Sequence, residues 1–250
     1  MDVPSLFTVK HLSSVDSVMA EAKRLMVAGA DEDTLIWADE QTEVDGRFQP
    51  ENISSPGNLY CAWIIYPECD LDEALQLGFV AAVSAGMTIA DIVLPMTDMK
   101  YRWPNEILLN GNKVADIFID SVADGQLDFQ QLVVGLSVKV IDQPHNFSSG
   151  VTSLQEVSDQ EELTPQSFLE RYCRNLLTWR YRWIQDGFEP VRKSWLNWMV
   201  DSNETIELKL SDTLLQGRIS TISETGDLVL ETTDGNSRTV TLGEFYKLKS

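Results

Sequence analysis

The segment spanning residues 102–120 constrains the fold of this chain more than any other stretch. Asn110 and Gly111 form a dipeptide that readily supplies the positive φ angles of a tight hairpin turn. Apolar residues alternate on both sides of this turn, with Ile107 and Leu109 before it, so each arm has one face to bury. The segment therefore predicts two antiparallel strands joined by a short turn.

A Trp-Pro corner precedes the first of these strands and presents Asn105 and Glu106. The hairpin would bring Lys113, at the start of the return strand, close to the same place. One interpretation of Lys113 is a solvated turn lysine. The other is a cation that a stiff β scaffold holds over a bound anion.

The charge balance narrows the classes of partner. Acidic residues outnumber basic ones 39 to 19 in 250 residues, which gives a formal net charge of −20. Such a charge repels nucleic acid and anionic membrane surfaces, so we expect neither as a partner, whereas a basic protein partner is favoured.

Cysteines and apolar runs bear on the compartment. Cys61, Cys69 and Cys173 lack metal-ligand spacing, and their odd number argues against a complete disulfide framework. The sequence shows no secretory signal and no run of about 18 uninterrupted apolar residues. We therefore expect a cytoplasmic protein without a membrane span.

Periodicity predicts alternating helices and strands in the first 200 residues. A helix is expected over residues 13–28, capped by Ser14 or Asp16, and another over 165–185, capped by Thr164. An aromatic stripe on the second helix is more typical of a core than of a stacking platform. The remaining predicted elements are strands at 34–38, 59–66 and 132–141 and helices at 71–94 and 190–199.

The pattern changes near residue 203. From Thr205 onward, short alternating segments are separated by turns, which is typical of a small barrel. We therefore expect a main domain at 1–203 and a small domain at 204–250.

The hairpin segment resembles the signature of the biotin protein ligases. In that family a Lys-Trp-Pro-Asn-Asp segment leads through a hairpin into Lys-hydrophobic-Ala-Gly-Ile. The residues that match are Trp103, Pro104, Asn105, Lys113 and Ala115. The residues that differ are Arg102, Glu106 and Asp116.

Residues 40–60 resemble the nucleotide loop of the same family. The resemblance implies that Gln41 contacts biotin and that Arg47 contacts the adenylate phosphate, with Gly46 and Asn58 also retained. Five positions depart from the family pattern, namely Val44, Asp45, Phe48, Gln49 and Pro50. A carboxylate about 4 Å from a phosphate charge costs about 4 kcal/mol at an effective dielectric near 20, so the aspartate is the most unfavourable change.

Two further segments resemble the family with changes at the expected pocket. Val18 and Met19 replace a threonine and an asparagine that would bond biotin, which makes the pocket more apolar. Ser137 replaces a glycine and Lys139 replaces an asparagine in the strand at 132–141. Lys139 is either a cation that meets a ligand carboxylate or offsets Asp45, or a solvated lysine at a strand end.

The resemblance implies an α+β fold, with a mixed β-sheet backed by helices as in class II aminoacyl-tRNA synthetases and biotin ligases, and a small C-terminal SH3-like barrel. It implies the ligase form without an N-terminal DNA-binding domain. The residues carried over are Lys113 and Arg47 as catalytic groups that converge on one anion, and Gln41, Gly46, Asn58, Arg102, Trp103, Asn105, Glu106, Ser137 and Lys139 as binding groups.

The implied function is ATP-dependent activation of biotin, or a related carboxylic acid, as an acyl-adenylate and its transfer to a lysine of a biotin carrier domain. ATP and biotin are the implied ligands, with Mg²⁺ possible. A second hypothesis is a catalytically degenerate relative that binds another small acid or a protein partner. A third is a protein that handles lipoate or octanoate, because an apolar pocket suits a fatty acyl chain.

Overall fold

The computed structural model describes residues 1–43, 56–121, 131–141, 150–160, 162–200, 205–210 and 213–248. Within them, seven strands form one mixed sheet in the order β1-β2-β3-β7-β6-β5-β4. The strands are β1 (Thr8–Leu12), β2 (Thr34–Ala38), β3 (Leu59–Ile65), β4 (Met99–Arg102), β5 (Glu106–Leu109), β6 (Asn112–Ser121) and β7 (Leu132–Val138). Strands β1 and β2 are parallel, and the other neighbours are antiparallel.

Helices cover both faces of this sheet. They are α1 (Val18–Val27), α2 (Leu71–Ala74), α3 (Leu77–Ala90), α4 (Pro165–Asp186), α5 (Glu189–Leu196) and α6 (Leu242–Tyr246). Helices α3, α4 and α5 pack in the larger core on one face, and α1 packs in a smaller core on the other. Because β2, β3 and most of β7 are buried on both faces, their sequences are almost continuously apolar.

The predicted caps are partly right. Thr164 caps α4 with Pro165 at the first helical position, and Gly187 ends this helix at a φ of 73°. The predicted cap of α1 is wrong, because Ser17 rather than Ser14 or Asp16 accepts the amide hydrogen bond from within the helix. The aromatic stripe of α4 is buried in the core, as predicted.

One helical stretch has the length and apolarity of a membrane span. It covers Leu71–Ala90, and 83% of its most apolar window is buried inside the protein. The predicted single helix at 71–94 is in fact α2 followed by α3. The burial of α3 between the sheet, α4 and α5 explains its composition, because a helix that contacts apolar neighbours all round is apolar all round.

The predicted hairpin is present. Asn110 and Gly111 adopt φ angles of 49° and 79° in the turn between β5 and β6. Trp103, before β5, is buried, and its indole N–H donates a 3.0 Å hydrogen bond to the carbonyl oxygen of Gly226. The corner before the hairpin is thereby attached to the C-terminal part of the chain.

The C-terminal part forms a second, antiparallel sheet in the order β11-β10-β9-β8. Its strands are β8 (Thr205–Leu210), β9 (Thr213–Ile222), β10 (Leu228–Thr232) and β11 (Ser237–Val240). In the described part of the chain this sheet is open, so the SH3-like barrel stays a prediction. The boundary predicted near residue 203 lies outside the described residues and also stays a prediction.

Close approach of α3 to β4 yields a stability prediction. A Cβ built on Gly86 would lie 1.9 Å from the hydroxyl oxygen of Tyr101. Helix propensity alone predicts that Gly86→Ala stabilises the protein by about 1 kcal/mol. We expect the opposite, a loss of about 1–3 kcal/mol through overpacking, measured by urea unfolding. Adding Tyr101→Phe should restore part of that loss, and a stabilised single variant would contradict the prediction.

Candidate functional site

Charged side chains gather where the hairpin meets the sheet. The Lys113 ammonium lies 3.2 Å from Oδ2 of Asp116 and 3.5 Å from Oε1 of Glu106. Glu106 also accepts a 3.0 Å hydrogen bond from Nη1 of Arg102. The order of charges is therefore cation, carboxylate, cation, carboxylate, and the sequence prediction that Lys113 lies near Glu106 is confirmed.

Strand register places these groups on one face of the sheet. Glu106 pairs with Asp116, Asp116 pairs with Ser137, and Ser137 pairs with Tyr60 across four adjacent strands. Paired residues point to the same side of a sheet, and Tyr60 belongs to the small core beneath α1. The charged groups thus share a face with α1, opposite α3 and α4.

Lys139 extends this row by two residues along the chain from Ser137. The residue as a whole is 9% exposed, and its charge acts on Asp116. The backbone of Lys139 is held on both sides, because its N–H donates to the carbonyl oxygen of Val114 and its own carbonyl oxygen accepts from the N–H of Leu154. Most of the Lys139 residue is buried, so it is not a fully solvated lysine, and its role toward a ligand stays a prediction.

Burial and charge change the titration of the cluster. Burial raises the pKa of Asp116 to about 6, against the opposing influence of Lys113. Burial alone would lower the pKa of Lys113, but Asp116 and Glu106 outweigh it, so the net pKa of Lys113 is raised. Lys113 therefore stays a cation at neutral pH, and Asp116 changes its charge in mildly acidic solution.

An apolar patch adjoins the charged row. Phe118 pairs with Gly135 at the next position of this face, and a Cβ on Gly135 would lie 2.5 Å from Sδ of Met19. Met19 thus packs directly on the glycine, and Val18 is buried in the same small core. The face combines a charged end with an apolar end, and the greater apolarity expected from Val18 and Met19 is present.

Four other predicted binding residues contact backbone groups. The side-chain oxygen Oε1 of Gln41 accepts a hydrogen bond from the N–H of Val18 at the start of α1. Asn58 accepts from the N–H of Val140 after β7, and the Asn105 amide donates to the carbonyl oxygen of Ile117. Trp103 contacts Gly226, as described above. These contacts fix the frame around the charged row, and the roles of these residues toward a ligand stay predictions.

Two predicted residues, Gly46 and Arg47, lie outside the described residues, as do the departures Val44, Asp45, Phe48, Gln49 and Pro50. The expected convergence of Arg47 and Lys113 on one anion therefore stays a prediction.

The sequence reasoning missed one site residue. Asp116 was noted only as a departure from the family pattern, yet it is the nearest carboxylate to Lys113. Alternation places Asp116 on the face of its strand opposite Ala115 and Ile117, so the periodicity alone did not mark it as buried. Register with Glu106 and Ser137 would have been needed to place it.

Comparison with known proteins decides the kinship. The model of the biotin/lipoate A/B protein ligase family matches residues 3–197, more than three quarters of the chain. The chain belongs to this family. The predicted kinship is thereby confirmed.

Relatives in this family carry ligase activity. The biotin–[acetyl-CoA-carboxylase] ligase of Paracoccus denitrificans is 29% identical over 223 residues, which cover 88% of this chain and 92% of that protein. The bifunctional ligase/repressor BirA of Bacillus subtilis is 27% identical, covering 88% of this chain and 68% of that protein.

Solved structures share the fold. The biotin protein ligase of Aquifex aeolicus in complex with biotin and ATP has a TM-score of 0.78 at 22% identity, over 95% of this chain and 97% of that one. The predicted class, a mixed sheet backed by helices, is confirmed. The ligands implied by the resemblance, biotin and ATP, are those that this neighbour holds.

The part of the site that lies in the described residues has the charge and the apolar surface expected for an anionic ligand with an apolar body. Arg102, Lys113 and Lys139 provide three cations against the carboxylates Glu106 and Asp116 when both are ionised, so this cluster carries a surplus positive charge. An anion beside an apolar group would meet opposite charge at one end and apolar side chains at the other.

The titration of Asp116 generates a prediction on stability. Its folded pKa of about 6 lies above its ordinary value of 3.8, so this carboxyl contributes stability below pH 3.8 that is lost as pH rises through 6. Between pH 4 and pH 7, we therefore expect the free energy of unfolding of the native protein to fall by about 2 kcal/mol more than that of Asp116→Asn.

Urea unfolding of both proteins at several pH values measures this difference. Asp16→Asn is the matched control, because the hydrogen bond from Arg24 lowers the pKa of Asp16 to about 2. The contribution of that carboxylate is complete above its ordinary pKa, so its difference should stay level over the same range. A level difference for Asp116→Asn would contradict the raised pKa.

Proposed function

We propose that this chain is a biotin–protein ligase that uses ATP to activate biotin, or a closely related carboxylic acid, and transfers the acyl group to a lysine of a carrier protein. In the first step a carboxylate oxygen attacks the α-phosphorus of ATP, and the bond to pyrophosphate breaks. In the second step the carrier amine attacks the acyl carbon, an amide bond forms, and AMP leaves with the bonding electrons.

The observation that carries this proposal is the cluster of Arg102, Lys113 and Lys139 on the family's Trp-Pro-Asn hairpin. Both steps develop negative charge on phosphate oxygens. Cations that a sheet holds in place before the ligand binds stabilise such charge without having to move during the reaction. This electrostatic preorganisation is the largest contribution to rate enhancement in many enzymes. Because the chain belongs to this family, we propose that the anion stabilised by these cations is the phosphate of an acyl-adenylate.

The remaining groups have proposed supporting roles. Gln41 and Asn105 orient the acid and the nucleotide from the edges of the site, and Arg47 adds a cation from the nucleotide loop. Mg²⁺ would accompany ATP through its phosphates, as is usual for this nucleotide. Met19 and Phe118 contact the apolar part of the acid.

The acceptor is a lysine-bearing carrier domain, by analogy with the acetyl-CoA-carboxylase named for the Paracoccus relative. The formal charge of −20 favours a carrier surface with basic residues around the acceptor lysine. The relatives named above are bacterial ligases, and we propose the bacterial cytoplasm as the place of action.

Pyrophosphate release tests this function. With biotin, ATP and Mg²⁺ the native protein should release pyrophosphate and attach biotin to a purified carrier domain, detected by mass spectrometry. Parallel reactions with lipoate and octanoate identify the preferred acid. Lys193→Met, which removes an exposed lysine on α5, should behave as the native protein. No pyrophosphate with any of the three acids would contradict the proposal and favour the binding-only alternative.

A further inference from the structure

We propose that Met19 is a specificity-determining residue for the acid that the site accepts. Its side chain fills a depression on the face of the sheet beneath α1 and forms an apolar end wall there. This wall shifts the preference of the site toward acids with a narrow, apolar distal end and away from a wide, hydrogen-bonding end such as the two-ring ureido group of biotin. The inference rests on the proposed function for the identity of the ligand as a carboxylic acid.

Two small residues form the floor of the depression. Gly135 of β7 pairs with Ala62 of β3 on one side and with Phe118 of β6 on the other, and paired residues point to the same face. A Cβ on Gly135 would lie 2.5 Å from Sδ of Met19. The methionine sulfur therefore occupies the space that a side chain at position 135 would take, and Met19 itself is buried.

The depression lies next to the charged row. Gly135 and Ser137 are two residues apart on one face of β7, about 7 Å along the strand, and Phe118 and Asp116 are related in the same way on β6. An acid whose carboxylate is held by the cations beside Asp116 would therefore direct its distal end at Met19. The methionine meets the part of the acid in which biotin, lipoate and octanoate differ.

An ion pair closes the pocket behind Met19. Asp120 lies two residues beyond Phe118 on the same face of β6, and its carboxylate is paired with the ammonium of Lys23, one helical turn after Met19 on α1. Asp120 is buried, so water and salt screen this pair less than a surface pair. Because the pair ties α1 to the sheet, a bound acid makes room by moving the side chain of Met19 rather than the helix. An unbranched, flexible methionine is suited to such movement.

Among the described residues at the start of α1, the hydrogen-bonding groups are weak or already engaged. Val18 has an apolar side chain, and the thioether of Met19 is a weak acceptor. Oγ of Ser17 accepts from the N–H of Ala20, and Oε1 of Gln41 accepts from the N–H of Val18. A ureido group at this end would bury polar atoms against apolar side chains, which opposes binding, whereas a hydrocarbon or dithiolane end has no such penalty.

Isothermal titration of biotin, lipoate and octanoate in the absence of nucleotide tests the proposal, and the quantity compared is the ratio of the Kd of biotin to the Kd of octanoate. Met19→Ala empties the depression, Met19→Leu keeps an apolar wall, and Met19→Asn restores the residue of the family pattern. Met26→Ala is the matched control. Met26 is a buried methionine of the same helix and the same small core, about 10 Å further along the helix axis.

We expect Met19→Ala to lower this ratio by about tenfold, because the wider pocket helps the two-ring acid more than the chain. Met19→Asn should lower it by at least about tenfold through new hydrogen bonds to the ureido group. Lipoate has a wide but apolar end, so its affinity should rise in Met19→Ala and not in Met19→Asn. The ratio in Met19→Leu should stay within about threefold of the native value, since leucine and methionine have similar volumes.

The control separates the pocket from the core. Met26→Ala should destabilise the protein to urea to a similar extent as Met19→Ala, because each removes a buried methionine side chain, yet leave the ratio within about threefold of the native value. The proposal is wrong if Met19→Ala leaves the ratio unchanged, if Met26→Ala lowers it equally, or if none of these proteins binds any of the acids.

The proposed function fails separately, through the absence of pyrophosphate release, because the titrations need neither ATP nor a carrier. A ratio that falls in Met19→Ala in a protein that releases no pyrophosphate would support this inference and contradict the function. Pyrophosphate release with an unchanged ratio would support the function and contradict this inference.

Discussion

The ion pairs of Lys113 with Asp116 and Glu106 join β6 to β5 at the candidate site, and strand pairing of Asp116 continues the row to β7. Lys113 is the second residue of β6, Glu106 begins β5, and Asp116 pairs with Ser137 of β7. The backbone of Lys113 is held as well, since its N–H donates to the carbonyl oxygen of Gly150. A charged group anchored by its main chain and by two carboxylates has little freedom to move, which is the condition for a preorganised site.

The two faces of the large sheet have different roles, because one forms the main apolar core and the other carries the candidate site. The face beneath α3 and α4 is continuously apolar, and it supplies the stability that a buried charged cluster requires. The face beneath α1 is apolar near Met19 and charged near Asp116. Small residues permit this arrangement, since a side chain larger than that of glycine at position 135 would collide with Met19.

Membership of the biotin/lipoate A/B protein ligase family coexists with altered charges at the site. The scaffold residues Trp103 and Asn105 persist and form hydrogen bonds to Gly226 and Ile117. Asp116 and Lys139 differ from the family pattern, and they lie close enough to interact electrostatically. Opposite charges introduced together on one face preserve the net charge, which explains how both are accommodated in a buried place.

Local signals explain which predictions were right. The Asn-Gly turn, the alternation of β5 and β6 and the Thr-Pro start of α4 depend on neighbours in sequence, so each is readable without the fold. Strands β1 and β4 were not predicted, because both are edge strands of five residues or fewer whose pairing partners define them. The predicted cap of α1 lay one or three residues too early for a different reason: four polar residues that can cap a helix stand within residues 13–17.

The sequence by itself determined the kinship, the hairpin, the apolar strands and the likeness of Lys113 to a ligase lysine, because these rest on residue identity and short-range periodicity. Only the tertiary structure decided that Asp116 and Glu106 enclose Lys113 and that Lys139 is nearly buried without an ion pair among the described residues. The physical reason is that electrostatic interaction depends on distance through space and on burial. Strand register, which brings residues 106, 116 and 137 into one row, sets both.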